Sequence, residues 1–321
     1  MTILISFIIP HKGREELLLQ TVESILKQNT DSNQIEIHIV TQNDNLDVLN
    51  KYLDANQNLK VHFQPENKTI SALRNYGADA AIGEYLAFID ADIMLDKNWV
   101  EVTISELNSH SRRVIISTTQ RNSEAPAAIE NIRTALNNIY KDSNVDSLPG
   151  SNLLIRTEDF RNSCKFPEKL TTCEDIYFTN QMHKQGDLYV TSKTSHIHLG
   201  EDKSFTQLFQ KEIWRGQSNI LSMKGREIPI KELPSIIIPI GTLVLLIMSF
   251  AAFASGYIYA ALLLILCLLL PFIAYSLRLY AQSQNPKSFS DIFKFYLVYF
   301  PARTIGTIGG LFKSFSNSGI N

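Results

Sequence analysis

Asp90 and Asp92 stand two residues apart at the close of the apolar run Gly83-Glu84-Tyr85-Leu86-Ala87-Phe88-Ile89. Tyr85 to Ile89, aromatic and β-branched in a short block, reads as a buried strand. The two carboxylates then lie at its C-terminal end, the edge of an open α/β sheet where ligands bind. Paired carboxylate oxygens suit a hard divalent cation, Mn²⁺ or Mg²⁺, and such a cation holds a diphosphate. The same residues also make an ordinary solvated acidic turn. Further along, His196 and His198 alternate on a strand and share one face. Either can complete a metal shell, and both equally suit a strand surface. A zinc site is the poorer reading, because no third soft ligand lies close in sequence. Glu174 and Asp175 open a helix, where the macrodipole favours acidic side chains and where a carboxylate can also act as a general base. Lys68 and Arg74 are cations placed to approach a diphosphate, with a salt bridge on a helix face as the plainer reading.

These residues need a scaffold that brings strand ends together. Ile3 to Ile9, Ile35 to Val40, Leu59 to Phe63 and Tyr85 to Ile89 read as strands. Between them, Glu15 to Gln28, Asn45 to Asn56 and a stretch capped by Thr69 or Ser71 and ending near Gly83 read as helices. Short connections in a strand–helix alternation predict an α/β fold with a mostly parallel sheet and helices on both faces. Helices follow at Trp99 to Asn108, Glu124 to Tyr140, Glu174 to about Gln185, and Phe205 to Asn219. Strands follow at Val114 to Thr118, Leu153 to Arg156, Asp187 to Thr191 and Lys193 to His198. Gly150-Ser151-Asn152 forms a turn that either shapes a pocket or only connects.

The chain has 321 residues, a net charge of -2 and a pI near 6.4, with no basic tract to track phosphates, so no nucleic-acid partner is expected. Three cysteines without a C-x-x-C fit a reduced, cytoplasmic setting for the soluble part. Apolar residues concentrate late. Ile236 to Ala254 and Tyr257 to Leu277 carry no charge, and each has the roughly 20 residues needed to cross a ~30 Å hydrocarbon core. Ser255-Gly256 makes them a hairpin. Lys224, Arg226 and Lys231 before it, and Arg278, Lys287 and Lys294 after it, put both flanks in the cytoplasm. Phe289 to Phe315 is apolar but interrupted by Lys294, Arg303 and Lys313; it reads as an interfacial helix or as a third crossing. Arg215, in Trp214-Arg215-Gly216, either reaches the diphosphate from the far side or sits at the membrane surface.

The order of these motifs resembles the family 2 inverting glycosyltransferases of GT-A fold. The first strand Ile5-Ser6-Phe7-Ile8-Ile9-Pro10 is similar to that family's opening strand. Ser71-Ala72-Leu73-Arg74-Asn75-Tyr76-Gly77 resembles its A-R-N-x-G helix, and Gly83 to Asp92 resembles its G-E-Y-L-x-F-L-D-x-D block. Cys173-Glu174-Asp175 resembles its E-D motif. The resemblance covers about Ile3 to Asn219. It implies Asp92 as the main metal ligand, Asp90 near the ribose, a late histidine (His198 ahead of His196) in the metal shell, Asp175 as the base and Glu174 as its helper or an acceptor contact. It also implies donor contacts at the strand ends, at Pro10 and Gln42. Two departures stand out. Thr41-Gln42-Asn43-Asp44 replaces V-D-D-G-S, so a carboxylate that touches the nucleobase is a carboxamide here. Q-x-x-R-W is absent, which argues against a polymer-extruding synthase.

The expected arrangement is a GT-A-like domain over 1–222, a linker over 223–234, two transmembrane helices over 235–277, and an interfacial or third segment with a tail over 278–321. The expected activity is metal-assisted transfer of one sugar, with inversion, from a nucleotide-sugar donor to a lipid-linked or envelope glycan acceptor at the cytoplasmic membrane. A nucleotidyltransferase, hinted at only by His11-Lys12-Gly13-Arg14, and a non-catalytic nucleotide-binding membrane scaffold are the alternatives.

Overall fold

The run Ile5-Ser6-Phe7-Ile8-Ile9-Pro10-His11 is buried along its whole length, as a strand covered on both faces must be. The computed structural model describes residues 2–217, 233–282 and 288–317. In chain order the elements begin β1 (Ile5–His11), α1 (Glu15–Leu26), β2 (Ile35–Thr41), α2 (Asn50–Ala55), β3 (Leu59–Phe63), α3 (Ile70–Ala80), β4 (Tyr85–Ile89), β5 (Ile93–Leu95), α4 (Trp99–Asn108) and β6 (Arg113–Arg121). They continue with α5 (Ala128–Asn137), β7 (Ser143–Val145), β8 (Asn152–Arg156), α6 (Thr157–Arg161), α7 (Glu174–His183), β9 (Asp187–His198) and α8 (Phe205–Gly216). Three long helices close the described chain: α9 (Pro234–Ala254), α10 (Ile258–Gln282) and α11 (Phe289–Asn317).

The chain divides into two units, one of Met1–Glu124 with Tyr140–Glu201, the other of Ala125–Ile139 with Asp202–Asn321. In the first, the sheet runs β3-β2-β1-β4-β8-β6-β9-β5, with β7 on β9. β3, β2, β1 and β4 are parallel, as the strand–helix alternation requires. Past β4 the directions mix: β8 is antiparallel to β4 and β6, and β5 is antiparallel to β9. The sheet is therefore mixed, with helices flanking it. One apolar core lies among α1, α4 and the sheet, around Phe7, Ile37, Ala87 and Trp99. A second lies on the α7 side, around Phe88, Phe160, Phe166 and Phe178. Buried Glu36 on β2 accepts from Ser6 Oγ (2.8 Å), Lys60 Nζ (2.7 Å) and the Ile82 amide (3.1 Å), tying the end of α3 to the sheet.

Several details differ from expectation. The helix over Asn45 to Asn56 is a 3₁₀ turn at Asp47–Leu49 followed by the short α2. The helix over Glu124 to Tyr140 contracts to Ala128–Asn137, since Pro126 restricts the residue before it. Asp187 to Thr191 and Lys193 to His198 are one strand. It skips register against β6 between Thr191 and Ser195, where Ser192 is held by Asp142.

In the second unit, α5 and α8 cluster with the C-terminal helices. Ile129, Ile132, Leu208, Phe272, Phe295 and Phe300 form its core. α11 is a single helix of 29 residues, Phe289–Asn317. It approaches α8 at glycines: a Cβ at Gly306 would stand 2.2 Å from the Ile213 carbonyl oxygen, and one at Gly310 2.0 Å from that of Gln217. α9 and α10 contain windows with mean hydropathy 2.4 and 2.6 and are long and apolar enough to cross a membrane. The linker over 223–234 lies, except for its last two residues, outside the described residues, as do Lys224, Arg226, Lys231 and Lys287.

Candidate active site

β4 delivers Asp90 and Asp92 to the sheet edge, and a buried arginine on α3 organises what surrounds them. Arg74 is 2% exposed. Its guanidinium donates to Asp90 Oδ1 (2.8 Å), to Glu174 Oε1 (2.8 Å) and to the Gly150 carbonyl (3.3 Å). Burial opposes its charge, but Asp90, Glu174 and Asp175 outweigh that and hold its pKa above the ordinary value. Arg74 thus reaches the acidic pair on α7 as well as the first aspartate of β4. Asp175, half-buried, accepts the Gly150 amide on Oδ2 (2.8 Å) and the Ile176 amide on Oδ1 (2.7 Å). Each carboxylate oxygen keeps acceptor capacity after one such bond. Glu174 is pushed up to about 7 by burial and by neighbouring Asp175, against the pull of Arg74.

Gly150-Ser151-Asn152 is the frame for these groups. Gly150 binds Asp175 through its amide and Arg74 through its carbonyl; the Ser151 carbonyl accepts the Asp90 amide at 3.0 Å. A Cβ at Gly150 would stand 2.9 Å from the Arg74 guanidinium. Asn152 is buried, and its role follows from donor logic. Indole N–H can only donate, so Trp99 Nε1 at 3.1 Å fixes Asn152 Oδ1 as its acceptor. The Asn152 Nδ2 group then faces His196 Nδ1 at 2.7 Å and donates to it. Thr118 Oγ1 lies 3.0 Å from the same nitrogen. Burial, then His198, pushes His196 down to about 3, so its imidazole is neutral.

His198 has different company. Its Nε2 lies 3.4 Å from Asp92 Oδ1 and its Nδ1 lies 3.3 Å from Glu201 Oε2. Burial opposes its protonation, yet Asp92 and Glu201 push it up to about 10. Asp92 itself, disfavoured as an anion by burial, is held below the usual carboxylate range by His198 and Arg14. The Arg14 guanidinium sits 2.7 Å from Asp92 Oδ2. Beside it, a Cβ at Gly200 would fall 2.0 Å from that same oxygen. Asp92 and His198 are thus the two candidate metal residues that converge, with Glu201 on the far nitrogen of the imidazole, as outer carboxylates orient metal-bound histidines. Among the described residues no three His, Cys, Asp or Glu side chains gather in a metal-ready cluster. One carboxylate and one imidazole fit a hard divalent cation that takes its remaining ligands from water and substrate phosphates; they do not make a self-sufficient cage.

Three of the other sequence candidates belong to the first unit and one to the second. Pro10 is buried in β1, paired in register with Val40. Gln42 donates through Nε2 to the carbonyls of Pro65 (2.9 Å), Glu66 (2.7 Å) and Lys68 (3.0 Å). Its amide hydrogens are spent on the β3–α3 loop, and Oε1 is its remaining acceptor. Lys68 is exposed in that loop. Glu15, Gln42, Asp44, Phe63 and Glu66 line a cavity of about 700 Å³, onto which Phe63 presents a half-exposed ring. Arg215 belongs to the second unit, 2.6 Å from Glu212, which Arg133 and Arg303 also pair. Arg14, Gly200 and Glu201 are the site residues that sequence reasoning missed. Their signals were a basic turn directly after β1 and a Gly-Glu step one residue beyond His198.

Residues 6–163 match Glycosyl transferase family 2. An uncharacterized glycosyltransferase of Haemophilus influenzae is 30% identical over 101 residues; the match covers 30% of this chain and only 40% of that protein. Glycosyltransferase AglE of Haloferax volcanii is 21% identical over 222 residues, covering 67% of this chain and 73% of AglE. Among solved structures, mannosyltransferase PcManGT from Pyrobaculum calidifontis, in complex with GDP-Man and Mn²⁺, superposes with a TM-score of 0.68 at 13% identity, covering 96% of this chain and 88% of that one. That likeness shows a common GT-A-type fold.

Proposed function

From a chain whose residues 6–163 form a glycosyl transferase family 2 domain, we propose an inverting, metal-assisted transfer of one hexose from a nucleotide-sugar donor to a lipid-linked or envelope glycan acceptor. The observation that carries this reading is the convergence at one sheet edge of Asp92 with His198, and of Asp175 with Asp90 through Arg74 and Gly150. The nucleoside sits in the cavity at the ends of β2 and β3. Phe63 offers it a stacking face there, and Gln42 Oε1 accepts from the base. Mn²⁺ in the PcManGT complex supports a divalent cation here, which Asp92 and His198 would hold. When bound, that cation neutralises the departing diphosphate as a Lewis acid.

Asp175 takes the proton from the acceptor hydroxyl. The acceptor oxygen then bonds to the anomeric carbon from the face opposite the diphosphate. The bond from that carbon to the diphosphate oxygen breaks, its electron pair leaves with the diphosphate, and the anomeric configuration inverts. Asp90, fixed by Arg74, faces the ribose. Glu174 holds Arg74 and so positions Asp175 beside it on α7. The apolar α9–α10 hairpin anchors the enzyme in the cytoplasmic membrane with its catalytic unit on the cytoplasmic side, next to lipid-borne acceptors.

The test is transfer and donor hydrolysis by the full chain in detergent, with and without Mn²⁺ or Mg²⁺. The wild type loses activity on chelation and regains it with metal. Asp92→Ala loses at least 100-fold, on the order seen when a transition-state charge contact is removed. Asp175→Asn binds the donor normally but transfers at least 100-fold more slowly, in line with removal of a general base. Wild-type rates in both variants would overturn the mechanism.

A further inference from the structure

We propose that Arg14 is a movable counter-ion of the Asp92 site. It occupies Asp92 Oδ2 until a divalent cation is bound, then turns to the diphosphate of the donor. The proposal rests on the metal-assisted reading above.

The guanidinium lies 2.7 Å from Asp92 Oδ2, yet the two partners differ in freedom: the Arg14 side chain is 60% exposed, the Asp92 side chain 10%. The carboxylate is fixed and the arm can leave it. The backbone that carries the arm is fixed as well. Asn43 accepts the Gly13 amide on Oδ1 at 2.7 Å and donates Nδ2 to Glu15 at 3.0 Å. The Arg14 carbonyl accepts the amides of Leu17 and Leu18, which starts α1. Arg14 stands at this helix start with φ 33° and ψ 54°, and its side chain makes no capping bond. A left-handed conformation is uncommon outside glycine, and the preferred residues at a helix start are Ser, Thr, Asp and Asn. Arginine is thus unsuited to the local backbone on both counts, and its side chain is turned wholly to Asp92.

The far side of the pair is cleared for it. A Cβ at position 200 would stand 2.0 Å from Asp92 Oδ2 and 2.6 Å from Arg14 Nη1. Glycine after β9 therefore leaves room for a carboxylate and a cation together. A guanidinium on Oδ2 and a divalent cation held on the His198 side of the same carboxylate repel each other and draw on one negative charge, so the two cations compete for Asp92. Once displaced, the guanidinium remains within an arm's length of the anion that accompanies the metal, and its planar fork matches phosphate oxygens.

Calorimetry on the full chain in detergent tests this with Mn²⁺ alone and with GDP or UDP in saturating Mn²⁺. Arg14→Gln binds Mn²⁺ alone about 3- to 10-fold more tightly than wild type, as expected from losing an exposed ion pair. The same variant binds the nucleotide that wild type accepts about 10-fold more weakly in the presence of Mn²⁺. Arg14→Lys, which keeps the charge, falls between wild type and Arg14→Gln in both titrations. Unchanged or weakened Mn²⁺ binding in Arg14→Gln, with Asp92→Ala abolishing it, overturns the counter-ion role and leaves the metal reading intact. Mn²⁺ binding absent from wild type, or indifferent to Asp92→Ala, overturns the metal reading and this proposal with it.

Discussion

A guanidinium sealed inside a protein needs anions around it, and Arg74 has two carboxylates and a carbonyl. The arrangement binds three segments far apart in sequence: α3, the β4 edge and the start of α7. Removing one partner of a buried charge set leaves the others unpaired, at a cost of about 3–5 kcal/mol. Arg74→Ala is therefore expected to lose that much stability in urea denaturation of the full chain, with Arg74→Lys losing less but still failing to bridge Asp90 and Glu174 together. A loss below about 1 kcal/mol in Arg74→Ala would show that the carboxylates find other partners. Sequence pointed to Arg74 as a diphosphate contact. Its helical position was legible, but its burial depends on the third dimension: which strand and which turn face α3. The same holds for the histidines. Their alternation on one strand face was legible, but their separation into a neutral, hydrogen-bonded His196 and an acid-flanked His198 depends on Asn152 and Glu201. Period-2 spacing carries no information about those partners.

Elements were easier to read than their ends. β1 and β4 are nearly continuous apolar runs, β2 and β3 alternate apolar with polar residues, and helical periodicity separates all four; these signals are local. β5 and β7 have three residues each, too few for any periodicity, and exist because β9 gives them a partner. The turn of direction at β8 is likewise invisible in a sequence whose strand looks like the others. The close approach of α8 and α11 left a trace in Gly216, Gly306, Gly309 and Gly310, although spacing alone does not say which of them meet the other helix. Gly216, Gly306 and Gly310 do, while a Cβ at Gly309 meets no described atom within 4 Å. Gly306→Leu is accordingly expected to force the helices apart at a cost of about 1–3 kcal/mol, the usual range for overpacking. Gly309→Leu should be close to neutral. Thermal melts in detergent compare the two, and an equal drop in both would refute the seam. Arg303, which interrupts the apolar run of α11, pairs with buried Glu212 in the same unit. The charge that made this segment ambiguous in sequence thus has a structural partner.

On the scale of the whole molecule, an apolar hairpin follows the segment that matches Glycosyl transferase family 2, and its geometry fixes what orientation it allows. α9 has 21 residues, or about 30 Å at 1.5 Å per residue, which matches the hydrocarbon thickness of a bilayer. α10 returns after a turn at Ser255 and Gly256, where Gly256 takes φ 80°, a left-handed conformation that glycine adopts freely. Two antiparallel crossings leave the chain on the side where it entered. The proposed orientation puts that side in the cytoplasm, in line with the basic residues before α9 and after α10. The turn must then lie on the opposite face. In a full chain with Cys164, Cys173 and Cys267 replaced, a cysteine introduced as Ser255→Cys is expected to react with a membrane-impermeant maleimide on intact cells. Ser288→Cys, exposed just before α11, is expected to stay unlabelled until the cells are opened. Labelling of both sites on intact cells, or of Ser288→Cys alone, would place the catalytic unit away from its nucleotide donor and would rule out the proposed orientation. If neither reacts on intact cells and both react once they are opened, the hairpin does not cross, and its apolar faces must be covered by another protein surface.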